Sequence, residues 1–95
     1  MNTALDVSTG VDVGYVVISK AGRDKGQKFI VLAKDSEFAY IADGDMRKTD
    51  APKKKKWKHL QLTNYKSDFI ENKLATAGKV TNAELRKALA NYSPV

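Results

Sequence analysis

Two apolar runs on either side of a short glycine-containing loop constrain this chain more than any other feature. Residues 15–18 and 29–32 are rich in β-branched and aromatic side chains, which favour strands. The loop between them contains Gly22 and Gly26, and glycine accepts the positive φ angles that tight turns require. The pattern predicts a β-hairpin with an apolar body.

The tip and base of this hairpin are mostly cationic. Arg23 can hold a phosphate through two parallel N–H bonds, whereas lysines act as point charges. Asp24 is expected to pair with a neighbouring cation and shape the turn. The basic side chains of this group are Lys20, Arg23, Lys25 and Lys28. An ordinary solvated hairpin that binds nothing explains the same residues.

The apolar runs predict strands over residues 15–20, 27–34 and 38–42, and the alternation of residues 57–62 predicts a fourth. In the first two, apolar residues occupy consecutive positions. Such strands suit a closed barrel or a two-layer sheet, in which both faces are covered. The pattern therefore predicts a small SH3-like β-barrel over residues 13–62.

Residues 45–58 interrupt the strands with a basic segment. Four consecutive lysines follow Pro52, and their mutual repulsion predicts an extended, mobile loop until an anion binds. Neutralising phosphates is the functional interpretation, and a solubilising loop is the alternative. The candidate phosphate-binding cations of this segment are Lys53, Lys54, Lys55, Lys56 and Lys58.

Two ring-bearing residues accompany these lysines. Trp57 among cations can stack on an unpaired base, although a single tryptophan is more often a core anchor. His59 can likewise stack on a base or contact a phosphate, and a structural role is the alternative. Both are included in the predicted nucleic-acid-binding surface.

The period of the apolar residues becomes helical in the last third of the chain, residues 63–95. Thr63 or Asn64 is expected to cap a first helix, which Gly78 ends. This extension is predicted to pack on the barrel, because short isolated helices are marginal in water.

A second helix is predicted from Thr81, because Glu84 follows three residues later and completes a capping box. At the other end of the chain, residues 1–12 have little periodicity and are expected to form a flexible leader.

Composition favours a polyanionic partner over catalysis. The net charge is +6, and residues 20–58 account for all of it, with twelve Lys or Arg against six acids. There is no cysteine and a single histidine, so thiol chemistry is excluded and metal or acid–base chemistry has few candidate groups. We expect a non-enzymatic, cofactor-free, cytoplasmic monomer without a membrane segment.

The residues from Val13 through Gly26 match an alternating pattern around one required glycine, Gly26. Two later stretches extend the match, residues 41–45 and the pair His59-Leu60. Over about residues 12–90 the chain resembles the small bacterial KOW-domain RNA-binding proteins. These are similar to archaeal and eukaryotic large-subunit ribosomal proteins of the fourteen-e, six-e and twenty-seven-e families. The resemblance implies an SH3-like barrel and a role in translation, with RNA as the partner.

Two functions follow as hypotheses. The first is binding of structured RNA, ribosomal RNA or the ribosome above all, through phosphate contacts from the hairpin tip and the lysine-rich loop. The second is a protein-interaction module that docks on a ribosomal or transcription protein through its helices, with the lysines serving solubility or steering.

Overall fold

A computed structural model describes residues 12–93, in which five strands precede two helices. The prediction of a mainly β chain with C-terminal helices is confirmed. In chain order the elements are β1 Tyr15–Ser19, β2 Lys28–Lys34, β3 Phe38–Ala42, β4 Lys53–Lys56, a 3-10 helix Trp57–His59, β5 Leu60–Lys66, α1 Asp68–Ala77 and α2 Asn82–Ala90.

All five strands form one antiparallel sheet in the order β4-β3-β2-β1-β5. The predicted hairpin is confirmed as β1 and β2, with Val17 opposite Phe29. Gly22 and Gly26 have φ angles of 85° and 89°, which only glycine adopts at little cost. The Gly26 amide closes the turn by donating to the Ser19 carbonyl at 2.8 Å.

The sheet bends strongly, because its two edge strands are joined by a very short connection. In a flat sheet, β4 and β5 would lie about 19 Å apart, four strand spacings of about 4.8 Å. Only residues 57–59 separate them, and four Cα–Cα steps span at most about 15 Å. The edges therefore approach each other, although β4 and β5 form no ladder within the described residues.

Both faces of the sheet are buried, as the consecutive apolar residues predicted. The concave face encloses one cluster, which includes Val17, Phe29 and Trp57. The opposite face packs against the helices through a second cluster, which includes Val16 and Ile30. Neighbouring residues of one strand thus belong to different cores, as the strand period of two requires.

Helix α1 begins later than the sequence indicated. Ser67 caps it by accepting a hydrogen bond from the Ile70 amide, so the prediction of Thr63 or Asn64 as the cap is wrong. Strand β5 continues to Lys66, because pairing with β1 holds that segment extended. The predicted end is confirmed, since Gly78 is the left-handed C-cap.

Helix α2 begins with the predicted capping box. The Thr81 hydroxyl accepts from the Glu84 amide, and the Glu84 carboxylate accepts from the Thr81 amide. The helix also holds the segment that leads into β4. Arg86 donates to the Gly44 carbonyl at 2.7 Å, and the Asn82 side chain accepts from the Thr49 amide at 2.8 Å.

The prediction of a mobile basic loop over residues 45–58 is wrong for the second half of that segment. Lys53–Lys56 form β4, which pairs with β3. Residues 57–59 form the 3-10 helix, so the fourth predicted strand, 57–62, is displaced to Leu60–Lys66. The repulsion argument failed because an acid distant in sequence neutralises part of this block.

The leader predicted over residues 1–12 lies, apart from Asp12, outside the described residues. Neither helix within residues 12–93 has the length and apolar content that crossing a membrane requires.

Candidate nucleic-acid interface

Asp24, at the hairpin tip, binds two lysines of β4. Its Oδ2 lies 2.8 Å from the Lys53 ammonium, and its Oδ1 lies 2.7 Å from that of Lys55. The Ser19 hydroxyl donates to the same Oδ1 at 2.6 Å. The hairpin tip and the lysine run are therefore brought together, and an ion-pair network joins them.

This network shifts the ionisation of the carboxyl group. Partial burial raises the pKa of Asp24, but the hydrogen bonds from Lys53, Lys55 and Ser19 together outweigh that effect. The pKa of Asp24 is thus held well below its usual range, and the carboxylate stays charged in the folded protein.

Lys55 is a structural residue. Its side chain is only 7% exposed, and its ammonium group donates to Asp24, to the Ser19 hydroxyl and to the Ala21 carbonyl at 2.7–2.9 Å. All three N–H donors are therefore used. The prediction that Lys55 contacts RNA is corrected, because no donor remains for a phosphate.

The four lysines of β4 alternate between the two faces of the sheet. Lys53 and Lys55 lie opposite Ile41 and Ala39 of the concave core, so Lys54 and Lys56 point to the convex side. There the Lys54 ammonium lies 4.3 Å from the centre of the Phe38 ring. The Lys56 ammonium lies 3.9 Å from the Glu37 carboxylate. The predicted lysine group is thus split by the strand.

Trp57 is a core anchor. Its side chain is 4% exposed, and its indole N–H donates to the Asp35 carbonyl at 2.9 Å. The prediction that it stacks on a base is corrected, because its ring belongs to the concave core.

The 3-10 helix places Lys58 and His59 beside the start of the hairpin loop. Lys58 is exposed and His59 is half-buried. The His59 carbonyl accepts a hydrogen bond from the Lys20 amide at 2.8 Å. The predicted residues Lys20, Lys58 and His59 therefore lie close together.

Lys28 lies elsewhere, on the helix side of the sheet. It is opposite Ile18 in β1, two residues from the buried Val16, which faces the helices. Its ammonium group lies 5.8 Å from the centre of the Tyr92 ring. It is thus separated from the other hairpin cations by the thickness of the sheet.

Sequence reasoning missed one cation, Arg47. It lines a cleft of about 200 Å³ between the hairpin tip and the segment before β4, together with Arg23, Lys53 and the exposed Met46. The signal that could have identified it is its position inside the predicted basic segment, residues 45–58. Asp43 orders the turn by accepting hydrogen bonds from the amides of Asp45 and Arg47 at 2.8–2.9 Å.

The accessible cations near the hairpin tip form one surface, which we call the cationic rim. It combines three chain segments: the hairpin loop, the segment leading into β4, and the 3-10 helix. Its members are Lys20, Arg23, Lys25, Arg47, Lys53 and Lys58. Within residues 12–93, only Lys53 of these six has a carboxylate within 4 Å of its charged group.

No protein-family model matches the chain, and a search of curated proteins finds no significant relative. Within residues 12–93, no group of three or more His, Asp or Glu side chains is arranged to hold a metal ion. The arrangement that the structure does offer is a set of cations on an ordered support.

Proposed function

We propose that this protein binds RNA, contacting the phosphate backbone through the cationic rim, and that its target is ribosomal RNA or the ribosome. The observation that carries the proposal is the convergence of cations from three segments, and five of these cations have no carboxylate within 4 Å among residues 12–93. Such a surface attracts a polyanion and releases the counterions condensed on it.

The support under the rim favours phosphate binding over non-specific steering. Asp24 fixes the hairpin tip against β4. Two hydrogen bonds with α2, one donated by Arg86 and one accepted by Asn82, fix the segment that carries Arg47. Cations held in position lose less side-chain and loop freedom when they bind. Arg23 and Arg47 line the same cleft, and guanidinium groups suit the geometry of a phosphate.

The strand order and the 3-10 helix also support RNA binding. We interpret the bent sheet as an SH3-like barrel of the KOW type, because its last strand returns to pair with β1 and a 3-10 helix bridges its edges. The resemblance to KOW-domain proteins, through Gly26 and residues 41–45, is what favours RNA over DNA. Phosphate contacts themselves read neither the base nor the sugar.

The test compares two double variants that remove equal charge. Arg23→Gln/Arg47→Gln acts on the rim, and Lys54→Gln/Lys56→Gln acts on the convex side of β4. Binding of a structured ribosomal RNA fragment is measured by fluorescence anisotropy between about 50 and 200 mM salt. Each lost phosphate contact reduces the slope of log K against log[salt] by about 0.7–0.9.

We expect the rim variant to reduce that slope by about 1.4–1.8, and the convex-side variant to leave it near the wild-type value. Equal slopes for both double variants would show that net charge, and not the rim, drives binding. That result would reject the proposed interface.

Association with the ribosome is tested by sedimentation of the tagged protein from lysate, at low and high salt, with and without ribonuclease. We expect migration with large particles that is lost on either treatment. A second function, docking on a translation or transcription protein, is favoured by Phe69 of α1, which is 56% exposed. A complex that survives both treatments would support docking instead.

A further inference from the structure

Strand β5 is irregular where it passes the end of β1. Val17 lies opposite Leu62, and Tyr15 lies opposite Lys66. Four steps along β5 thus correspond to two steps along β1. The two extra residues form a bulge in β5, which is an edge strand. The Thr63 hydroxyl secures it by donating to the Val16 carbonyl at 2.6 Å. Bulges at sheet edges commonly redirect side chains next to functional sites.

The bulge lines an open groove of about 360 Å³ between β5 and the residues that follow α2. Tyr65 and Tyr92 lie in its wall, with ring centres 5.6 Å apart and ring planes at 67°. Both tyrosines are half-buried, so part of each remains accessible. Lys28 adds a cation 5.8 Å from the centre of the Tyr92 ring.

Two side-chain amides face the same groove. Gln61 and Asn64 line it and are exposed. No hydrogen bond connects either amide to another group within residues 12–93. Each amide offers two donors and one acceptor oxygen, and such groups pair with the edges of unpaired bases.

We propose that this groove, between the bulge of β5 and Tyr92, holds an unpaired nucleobase of an RNA whose backbone lies on the cationic rim. The inference rests on the proposed function and adds a specificity to it. Aromatic rings bind the face of a base, the amides bind its edge, and Lys28 lies near the phosphate. Unlike the rim, the groove distinguishes unpaired from paired RNA.

The rim and the groove are connected along one strand. β5 begins at Leu60, directly after Lys58 and His59. From Leu60 to Lys66 the strand runs beside four steps of β1, from Ser19 to Tyr15, and so advances about 13 Å at about 3.3 Å per step. A short single-stranded segment leaving the rim at Lys58 can follow β5 to the tyrosines.

The experiment uses three RNA hairpins that differ at one position: an unpaired 2-aminopurine, an abasic residue, or a fully paired base. The wild-type protein is expected to quench the 2-aminopurine fluorescence by stacking and to prefer the unpaired base. Tyr92→Ala is expected to weaken binding of that RNA about 5- to 150-fold and to leave binding of the abasic RNA unchanged. Tyr92→Phe, which keeps the ring, is expected to retain the quenching.

Tyr92 also packs against the helix-side core, so the test includes variants that leave that core intact. Gln61→Ala and Asn64→Ala alter exposed side chains, and each is expected to reduce the preference for the unpaired base. Salt-dependent binding with equal affinity for all three RNAs, unchanged in these variants, would reject base binding in the groove but not phosphate binding by the cationic rim. No binding of any RNA by the wild-type protein would overturn both.

Discussion

The hairpin loop, residues 20–27, and strand β4, Lys53–Lys56, are both dense in cations, yet the fold uses their charges differently. In the hairpin loop, Lys20, Arg23 and Lys25 are exposed and have no carboxylate within 4 Å among the described residues. In β4, alternation sends two lysines to the concave side, where Asp24 binds both. The density of charge in a sequence is therefore a poor measure of the charge available to a partner.

The hairpin loop and β4 meet at Asp24, whose carboxylate pairs with Lys53 and Lys55. Asp24 belongs to the hairpin loop, and its carboxylate compensates the buried charge of Lys55 in β4. A buried ion pair of this kind costs more when one partner is removed than when both are. The stability of the fold should therefore respond to Asp24 more strongly than to the exposed cations around it.

The largest expected effect comes from Asp24→Ala, which leaves the Lys55 ammonium buried without its counter-ion. We expect the free energy of unfolding to fall by about 3 kcal/mol, at the lower end for a broken buried pair, since Lys55 keeps two hydrogen bonds. The measurement is urea unfolding followed by the fluorescence of the buried Trp57. The double variant Asp24→Ala/Lys55→Met should regain much of the loss, and additive losses would show that the two residues are not coupled.

The second effect is acid sensitivity at the same carboxylate. Because the pKa of Asp24 is lower in the folded than in the unfolded chain, its contribution is complete above the unfolded value of about 3.9 and is lost as the pH falls below it. The unfolding free energy of the wild type should therefore decline below about pH 4, and that of Asp24→Asn should decline less. Parallel pH profiles would contradict this role for Asp24.

Part of the acid dependence should persist in Asp24→Asn. The pKa of Asp35 is lowered mainly by the Phe38 amide, and that of Glu84 mainly by the Lys73 ammonium. Both are exposed to screening by solvent, so each makes a smaller contribution than Asp24. Raised salt should weaken these contributions more than that of the largely buried network.

The smallest expected effect is on the convex side of β4. Lys54→Gln and Lys56→Gln should each change the unfolding free energy by less than about 0.5 kcal/mol, because exposed pairs contribute little. Lys55→Gln, one residue away from each, serves as the comparison and should be clearly destabilising. Similar values for all three positions would mean that β4 does not alternate as described.

Local signals in the sequence were sufficient for much of the fold. The hairpin, the αL residue Gly78 and the capping box at Thr81 depend on neighbouring residues, and each was predicted correctly. The start of α1 was misplaced because pairing between β5 and β1 overrides the local preference of Thr63 and Asn64 for a cap.

The candidate interface was predicted less completely. Its loop cations were identified, but Lys55 and Trp57 were wrongly assigned to the surface and Arg47 was missed. Each error has the same origin, since burial and partners depend on segments far away in the chain. Asp24 and Lys55 are 31 positions apart, and no spacing pattern reveals such a contact.

The sequence by itself determined the first three strands, where the glycines allow turns, and that the cations concentrate in residues 20–58. These properties follow from backbone preferences and composition, which act within a few residues. Only the tertiary structure decided which cations remain available, because the bend of the sheet places Asp24 against β4. It also decided that Tyr65 and Tyr92 share a groove, since side chains from distant segments meet only when the sheet and the helices pack together.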